Sequence, residues 1–420
     1  MDLLPSGEPQ TTSKPPPARP DRRGAFRLLF FALLVIGAGN TMVANAVLPP
    51  LARELALPDW TVGAIFSLSA ICWSAMSLFW GGLSGRIGRR PVAVIGLAGY
   101  AVSMTLFGLS AMAALAGWLS SWPVIFACFL ISRTIFGLTG SGTSPAAQAY
   151  VADRTRPDER TVEIASLTSG FSFGAVAGPA VAATLVAWFG LVSPFFVAAA
   201  LAATMAWLVA TRLPEHRDPD ASAGIRPPTR GLWRQPHVWP FLVYGVTVSF
   251  ATGIIVQTFP FALMDKLSVD GPEASGYIAV ATTMAGMATI LAQLVLIPRL
   301  EPTTRSLMIW GGVAFGLGIL LVAPSATIAP LVLAQFAVGL GQGLARAGFA
   351  SGASLAVKPE EQGAVAGLVI SSNGVGFIIS PVFGPFLYES VSQTAPFIIG
   401  GGLMLAISVF IALHLPRTTP

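Results

Sequence analysis

The sequence predicts an all-α membrane protein with twelve transmembrane helices in two pseudo-symmetric six-helix bundles. Of its 420 residues, 54% are hydrophobic and 10% are charged, whereas roughly a quarter of the residues in soluble domains are charged. The apolar residues form runs of about 20, which is the length that crosses a bilayer. The positive charge lies between these runs in a regular alternation. The excess apolar surface must therefore face lipid.

The apolar runs define the twelve predicted spans. Membrane-spanning strands would instead show alternating segments of about ten residues, which the sequence does not contain. The predicted spans are residues 26–49, 60–84, 91–114, 121–146, 163–188, 193–212, 239–263, 274–298, 306–324, 328–350, 362–387 and 394–414.

The basic residues predict the orientation of the spans. With the N-terminus in the cytoplasm, all but four of the 24 Lys and Arg residues fall on the cytoplasmic side. The outer loops carry Arg53 and Lys266, and Arg133 and Arg346 lie inside spans. This distribution follows the positive-inside rule and places both termini in the cytoplasm. It also attributes the net charge of +5 to topology, so no nucleic-acid partner is expected.

The longest polar stretch between spans divides them six and six. It is rich in proline, covers residues 211–240 and suggests a domain boundary. We expect no cleaved signal peptide, since the first apolar run is long enough to span. The predicted parts are a disordered cytoplasmic tail at 1–25, a six-helix bundle at 26–213, a cytoplasmic linker at 214–238, a second bundle at 239–414 and a tail at 415–420.

An internal repeat supports two related halves. Pro157 and Gly174 of the first half recur 202 positions later as Pro359 and Gly376, and Pro179 recurs as Pro381. Parallel six-helix repeats about an axis along the membrane normal describe one transporter architecture.

A glycine- and arginine-rich segment follows the second span. Residues 81–91, GGLSGRIGRRP, resemble the loop signature of the major facilitator superfamily. The glycines permit a tight turn and close helix approach. Gly85 stands where that family usually has Asp, which puts its usual loop-to-helix-end contact in doubt. The motif residues taken from this segment are Gly81, Arg86, Gly88, Arg89 and Arg90.

Two further elements carry the same resemblance. Residues 133–137, RTIFG, resemble the family's R-x-x-x-G element in the fourth span, and a charge within a span is expensive unless it faces a cavity or a partner. Residues 170–179, GFSFGAVAGP, resemble the G-x-x-x-G-P element of its proton-coupled exporters, and glycine at every fourth position (Gly170, Gly174 and Gly178) predicts a groove for another helix. The motif residues from these two spans and the neighbouring loop are Gly137, Asp153, Glu163, Gly174, Gly178 and Pro179, and Pro381 is the counterpart of Pro179.

The family resemblance covers residues 26–414, and a closer one to tetracycline-efflux and drug:proton antiporters covers 130–183. It implies that the first, fourth, seventh and tenth spans line a central cavity. Polar residues there, with aromatic residues able to contact an apolar substrate, form the predicted cavity: Asn40, Thr41, Asn45, Arg133, Phe136, Phe171, Tyr244, Gln257, Gln335, Gln342 and Arg346.

The predicted spans contain no Asp or Glu near their middles. Asp153, Glu163 and Glu389 lie near span ends. We therefore expect Arg133 to hydrogen-bond Asn40 or Asn45, and the cavity to favour neutral or anionic substrates. Proton coupling would use Asp153, Glu163, water bound to Arg133, or a proton carried by the substrate; the sequence does not decide among them.

The predicted function is export of small amphipathic molecules across the inner membrane of a bacterial-type cell, by proton-coupled antiport in a monomer. The alternative is import or facilitated passage of a metabolite such as an organic anion. A channel or a lipid-sensing receptor is a further option. An enzyme is disfavoured because the sequence offers no metal cluster or nucleophile with its base. Neither a metal nor any other cofactor is expected.

Overall fold

A computed structural model describes residues 22–156, 159–215, 231–358 and 361–415. Every regular element within these ranges is a helix, and twelve of the helical stretches are long and apolar enough to cross a membrane. The twelve predicted spans are therefore confirmed as helices. The tails at 1–21 and 416–420 and most of the linker, 216–230, lie outside the described residues.

The first six stretches are built from eight α-helices. Two of them form the first stretch and two form the fourth. The helices are α1 (Arg22–Thr41), α2 (Leu48–Glu54), α3 (Asp59–Ile87), α4 (Arg89–Leu115), α5 (Trp122–Gly140), α6 (Thr143–Ala152), α7 (Arg160–Phe189) and α8 (Ser193–Arg212).

The last six stretches are built from seven α-helices, beginning at the residue predicted for the second bundle. They are α9 (Trp239–Leu267), α10 (Gly271–Leu291), α11 (Ile297–Leu300), α12 (Thr304–Val322), α13 (Ile328–Leu355), α14 (Gln362–Ser390) and α15 (Ala395–His414). A short 3₁₀ turn, Leu232–Arg234, precedes α9.

Two stretches contain a π-helical segment, one at Met42–Val47 and one at Ala292–Leu296. Each lies just before a proline: Pro49 and Pro50 follow the first, and Pro298 follows the second. Proline has no N–H, so the carbonyl four residues earlier loses its α-helical partner. The wider π turn is one way to accommodate this loss, and such bulges are frequent at functional sites.

Helices of each half pack mainly on one another. In the first half α1 packs on α7, and α4 on α5 and α8; in the second half α9 packs on α14, and α13 on α10 and α12. The two halves meet where α3 contacts α14 and α7 contacts α10. This packing agrees with two bundles, whereas the pseudo-symmetry and the domain boundaries remain predictions.

Glycines four residues apart on α7 bring it against α1. A Cβ added at Gly170 would lie 2.5 Å from the carbonyl oxygen of Phe30, and one at Gly178 would lie 2.5 Å from that of Ala38. Gly174 faces the main chain of α1 between these points. The groove predicted from the glycine spacing is thus filled by α1.

The glycine-rich segment is largely helical, and the expected tight turn is confined to one glycine. Helix α3 continues through Gly81, Gly82 and Gly85 to Ile87, and only Gly88, with φ of 107°, separates it from α4. A left-handed φ favours glycine, so the reversal occurs at Gly88. Gly81 and Gly82 have nothing within 4 Å of an added Cβ, so they allow no close helix approach here.

The two ends of the helical bundle carry different groups. We call the end around Arg89, Asp153 and Glu215 the linker face. The opposite end, around Arg53 and Asp265, is the distal face.

Candidate functional site: a cavity between the two halves

A cavity of about 440 Å³ lies between α7 of the first half and α9, α10 and α13 of the second. Its size is within the range of small-molecule sites. The residues that line it are Asn45, Ser169, Phe171, Ser172, Phe173, Ala175, Val176, Ile255, Val256, Phe259, Thr282, Ala285, Gly286, Thr289, Ile290, Gln293, Leu294, Gln335, Val338, Gly339, Gln342 and Arg346.

Five residues predicted for the cavity do line it: Asn45, Phe171, Gln335, Gln342 and Arg346. The last three follow one stripe of α13, as their spacing of seven and four indicates. The Gln342 side-chain amide donates to the Thr252 hydroxyl at 2.7 Å, which orients its carbonyl oxygen. Arg346 is exposed to solvent through the cavity.

Arg133 does not line this cavity, which corrects its predicted placement. Only 2% of it is exposed, and its guanidinium lies between the rings of Phe66 and Phe136, 4.8 and 4.6 Å from their centroids. It donates to the side-chain oxygen of Asn40, as predicted. Asn40 and Phe136 therefore stay with Arg133 inside the first half.

Three other predicted residues also lie elsewhere. The Thr41 hydroxyl donates to the main-chain carbonyl of Gly37 at 3.1 Å, the local bond that membrane Thr often makes. Tyr244 is fully buried in the second half and donates to the Met308 carbonyl at 2.5 Å. Gln257 is 2% exposed. These three side chains hydrogen-bond or pack within their own half and do not line the cavity.

Several polar cavity residues of α7, α10 and the π-helical segment after α10 were not predicted, because polar residues were sought only in the first, fourth, seventh and tenth spans. Thr289 and Gln293 of the second half lie opposite Ser172 of the first. Asn45 and Gln293 each occupy one of the two π-helical segments, which turn an amide side chain into the cavity. The sequence signal for these two amide residues is a nearby proline: Pro49 follows Asn45 by four positions, and Pro298 follows Gln293 by five.

Removing the Arg133 side chain is expected to destabilise the first half. Arg133→Ala would leave a gap between Phe66 and Phe136 and an unpaired Asn40 amide. Such truncations cost about 2–5 kcal/mol. Thermal unfolding in detergent should therefore show a clearly lower Tm, while Arg299→Ala, at an exposed position, leaves it unchanged. An unchanged Tm with abolished substrate binding would instead place Arg133 against the substrate.

Charged residues join the two halves at the distal face. Arg53 of α2 donates from Nε to Asp59 Oδ1 at 2.6 Å and from Nη1 to Asp265 Oδ1 of α9 at 2.8 Å. The Tyr388 hydroxyl of α14 donates to Asp265 Oδ2 at 2.7 Å. We call Arg53, Asp59, Asp265 and Tyr388 the distal cluster. Its bonds connect the first half, through Arg53 and Asp59, to the second half.

Close helix packing reinforces this closure. Gly63 of α3 lies against Pro381 of α14, where an added Cβ would overlap the Pro381 carbonyl and lie 3.0 Å from Val382 Cα. Toward the linker face, Gly82 of α3 and Gly367 of α14 are exposed and have nothing within 4 Å of an added Cβ. The two halves are thus held together at the distal face by the distal cluster and by the packing of Gly63 on Pro381.

The predicted motif residues at the linker face form contacts within the first half. Arg89 Nε donates to Asp153 Oδ2 at 3.1 Å, and Arg89 Nη1 donates to the Ser84 hydroxyl at 2.6 Å. The Glu215 carboxylate accepts the main-chain N–H groups of Arg89 and Arg90 at 3.1 and 2.9 Å. A carboxylate at a helix N-terminus is favourable, so Glu215 attaches the start of the linker to α4.

The remaining motif residues are placed as follows. Arg86 is exposed in the last turn of α3, and Glu163 lies in the first turn of α7. The position of Gly137 brings α5 against α3, since an added Cβ would lie 2.8 Å from the Ser69 carbonyl oxygen. Pro179 and Pro381 are inside α7 and α14. None of these is among the cavity-lining residues.

No group of three His, Cys, Asp or Glu side chains that could hold a metal ion occurs in the described part of the chain. The two cysteines, Cys72 and Cys128, are free thiols.

The family model of the Major Facilitator Superfamily matches residues 29–305 and 275–420. Multidrug resistance protein 2 of Bacillus subtilis is 24% identical over 90% of each chain. The class D tetracycline resistance protein of Salmonella ordonez is 26% identical over 93% of this chain and 97% of its own. A peptide transporter crystallised with sulfate has a TM-score of 0.74 at 15% identity, over 94% of each chain. With twelve membrane-crossing helices and this match, the chain belongs to the Major Facilitator Superfamily and is a multi-pass membrane transporter.

Proposed function

We propose that the protein exports small amphipathic molecules across the inner membrane by alternating access, driven by proton antiport. The observation that carries this proposal is a cavity between two halves that are held together at the distal face by the distal cluster and by the packing of Gly63 on Pro381. A solute entering near the linker face would leave at the distal face once the halves rock about the cavity.

The distribution of charge supports a cytoplasmic linker face. Basic side chains cluster there and include Arg86, Arg154, Arg212 and Arg299, whereas the distal face carries Arg53 and Lys266. Positive residues favour the cytoplasmic side of a membrane protein. In this orientation the described conformation faces inward.

Export is the proposed direction because two relatives similar over nearly the whole chain are resistance proteins by name. The resemblance of Gly174, Gly178 and Pro179 to the element of proton-coupled exporters points the same way. The cavity-lining residues named above are the proposed substrate contacts. The linker-face and glycine motif residues are proposed to guide movement of the halves, and the working unit is a monomer in the bilayer.

Proton coupling requires that proton and substrate influence each other's binding. The residues that line the cavity include no Asp or Glu. Asp153, Glu163 or a proton carried by the substrate is the proposed coupling site, and Asp153 already pairs with Arg89.

Uptake into energised inverted vesicles tests the proposal. In a panel of fluorescent cationic, neutral and anionic compounds, the neutral or anionic members should accumulate inside, and nigericin, which collapses the pH gradient, should abolish their accumulation. Valinomycin with potassium, which collapses the electrical potential, is the parallel condition. Vesicles without the protein are the control.

The alternative is a facilitator or importer of an organic anion, which the carboxylate-free cavity lining favours. Equilibration in both directions that ignores both ionophores would establish the facilitator and exclude proton-driven export. Accumulation in right-side-out vesicles alone would establish import.

A further inference from the structure

One cation in the cavity has no hydrogen-bond or ion-pair partner among the described residues. Arg346 lies on α13, is exposed through the cavity, and makes no hydrogen bond or ion pair with any residue that the structure describes. The cavity lining contains no other charged side chain. The site therefore has a single positive charge with no counter-charge of its own.

Neutral polar side chains continue from Arg346 along one side of the cavity. Gln342 lies one helical turn before Arg346, and Gln335 lies two turns further along the same stripe. Gln293 reaches the cavity from the π-helical segment of the second half. Side-chain amides supply N–H donors beside the guanidinium, which suits the several acceptor sites of an oxyanion.

Apolar side chains form most of the remaining wall. Phe171 and Phe173 of α7 are exposed into it, and Ile255, Val256 and Phe259 of α9 lie across from them. A molecule bound here would meet aromatic and aliphatic surface over most of its body. Only one end would meet Arg346.

We propose that the substrate of this site is a small amphipathic monoanion, with its carboxylate or phenolate oxygen bound by Arg346 and its apolar body against Phe171 and Phe173. This proposal rests on the proposed function and names the substrate class for it. It assigns the anion to Arg346 rather than to Arg133, which is enclosed within the first half. The polar partner of Arg346 is then the substrate itself.

Three ligands that share one fluorophore test the proposal: dansylglycine, which is anionic, its neutral amide, and dansyl-ethylenediamine, which is cationic. Fluorescence titration of the purified protein in detergent should rank the carboxylate first. Arg346→Gln should weaken carboxylate binding by about 10-fold to 100-fold, because one charge-assisted contact is lost, and should leave amide binding unchanged.

Two variants complete the test. Arg346→Glu should reverse the order, so that the cation binds better than the carboxylate. Arg299→Gln removes the same charge from an exposed position outside the cavity and should change nothing. Each variant should elute as a single symmetric peak in size-exclusion chromatography, as a check of folding.

Several results would overturn the inference. These are a wild-type preference for the cation, binding of none of the three ligands, or an equal loss of all three on Arg346→Gln. Failure of the proposed function alone would give a different result. The carboxylate would then bind with an affinity that depends on Arg346, but no ligand would accumulate in energised inverted vesicles.

Discussion

Replacing Gly174 by Val is expected to abolish correct packing of the first half. An added Cβ at Gly174 would lie 2.7 Å from the Ala38 main-chain nitrogen and 2.9 Å from the Leu34 carbonyl carbon. These are backbone atoms of α1, so no side-chain rotation can relieve the overlap. Helix α1 would have to move away from α7 and from its contacts around the cavity.

The expected loss is large because the contact is repeated along the helix. Overpacking in a well-packed core costs about 1–3 kcal/mol or more, and Gly170 and Gly178 would lose their close approach to α1 when the helices separate. Fluorescence-detected size-exclusion chromatography should show little monodisperse Gly174→Val protein, with a lowered Tm in what remains. Gly174→Ala should fall between this variant and the wild type.

Gly402→Val is the matched control. Gly402 lies within α15, is exposed, and has nothing within 4 Å of an added Cβ. The same substitution there should leave expression, elution and Tm unchanged. Normal folding and transport by Gly174→Val would show that α1 and α7 do not need their close contact.

Replacing Asp265 by Asn is expected to open the distal face. The substitution keeps the shape of the side chain but removes the charge that Arg53 and Tyr388 bond. Hydrogen bonds to charged groups contribute about 1.5–3 kcal/mol each. Since these bonds join the halves only while the distal face is closed, their loss should raise the distal-open population at least about tenfold, or about 1.4 kcal/mol.

Distances between spin labels measure this shift. Labels at Ser120→Cys and Gln393→Cys, in a background with Cys72 and Cys128 replaced by Ser, report the separation of the two halves at the distal face. Asp265→Asn should add a longer distance to the distribution. Asp270→Asn, an exposed carboxylate outside the distal cluster, should not.

An unchanged distance distribution in Asp265→Asn would mean that helix packing alone, as at Gly63 and Pro381, keeps the distal face closed. The distal cluster would then have no role in the conformational equilibrium. If Asp265→Asn and Asp270→Asn both yielded little folded protein, these two carboxylates would have a structural role.

The sequence predicted the packing of neighbouring helices better than it predicted which residues line the cavity. The glycine spacing at Gly170, Gly174 and Gly178 predicted a groove for a neighbouring helix, and α1 fills it. Pairing of Arg133 with Asn40 or Asn45 was also predicted, because the spans contain no carboxylate near their middles, and the partner is Asn40. Placement of Arg133 in the cavity was wrong, because a helical repeat reports which residues share a face but not which neighbour covers that face.

The π-helical segments show a second limit of the sequence. Pro49 and Pro298 indicate that a carbonyl loses its helical partner, but they do not say whether the chain responds with a kink or a π turn. That choice depends on the surrounding helices. Gln293, in one of these segments and outside the spans expected to line the cavity, contributes to its wall.

The sequence by itself determined twelve membrane-crossing helices, the division of charge between the two faces and the resemblance that led to the Major Facilitator Superfamily. These follow from hydrophobicity and charge, which act on each segment separately. Only the tertiary structure decided that Arg53 bonds Asp265, 212 positions away, and that Arg346 faces an open cavity while Arg133 is enclosed by aromatic rings. Such contacts depend on how the two halves pack against each other, and local sequence patterns carry no record of that arrangement.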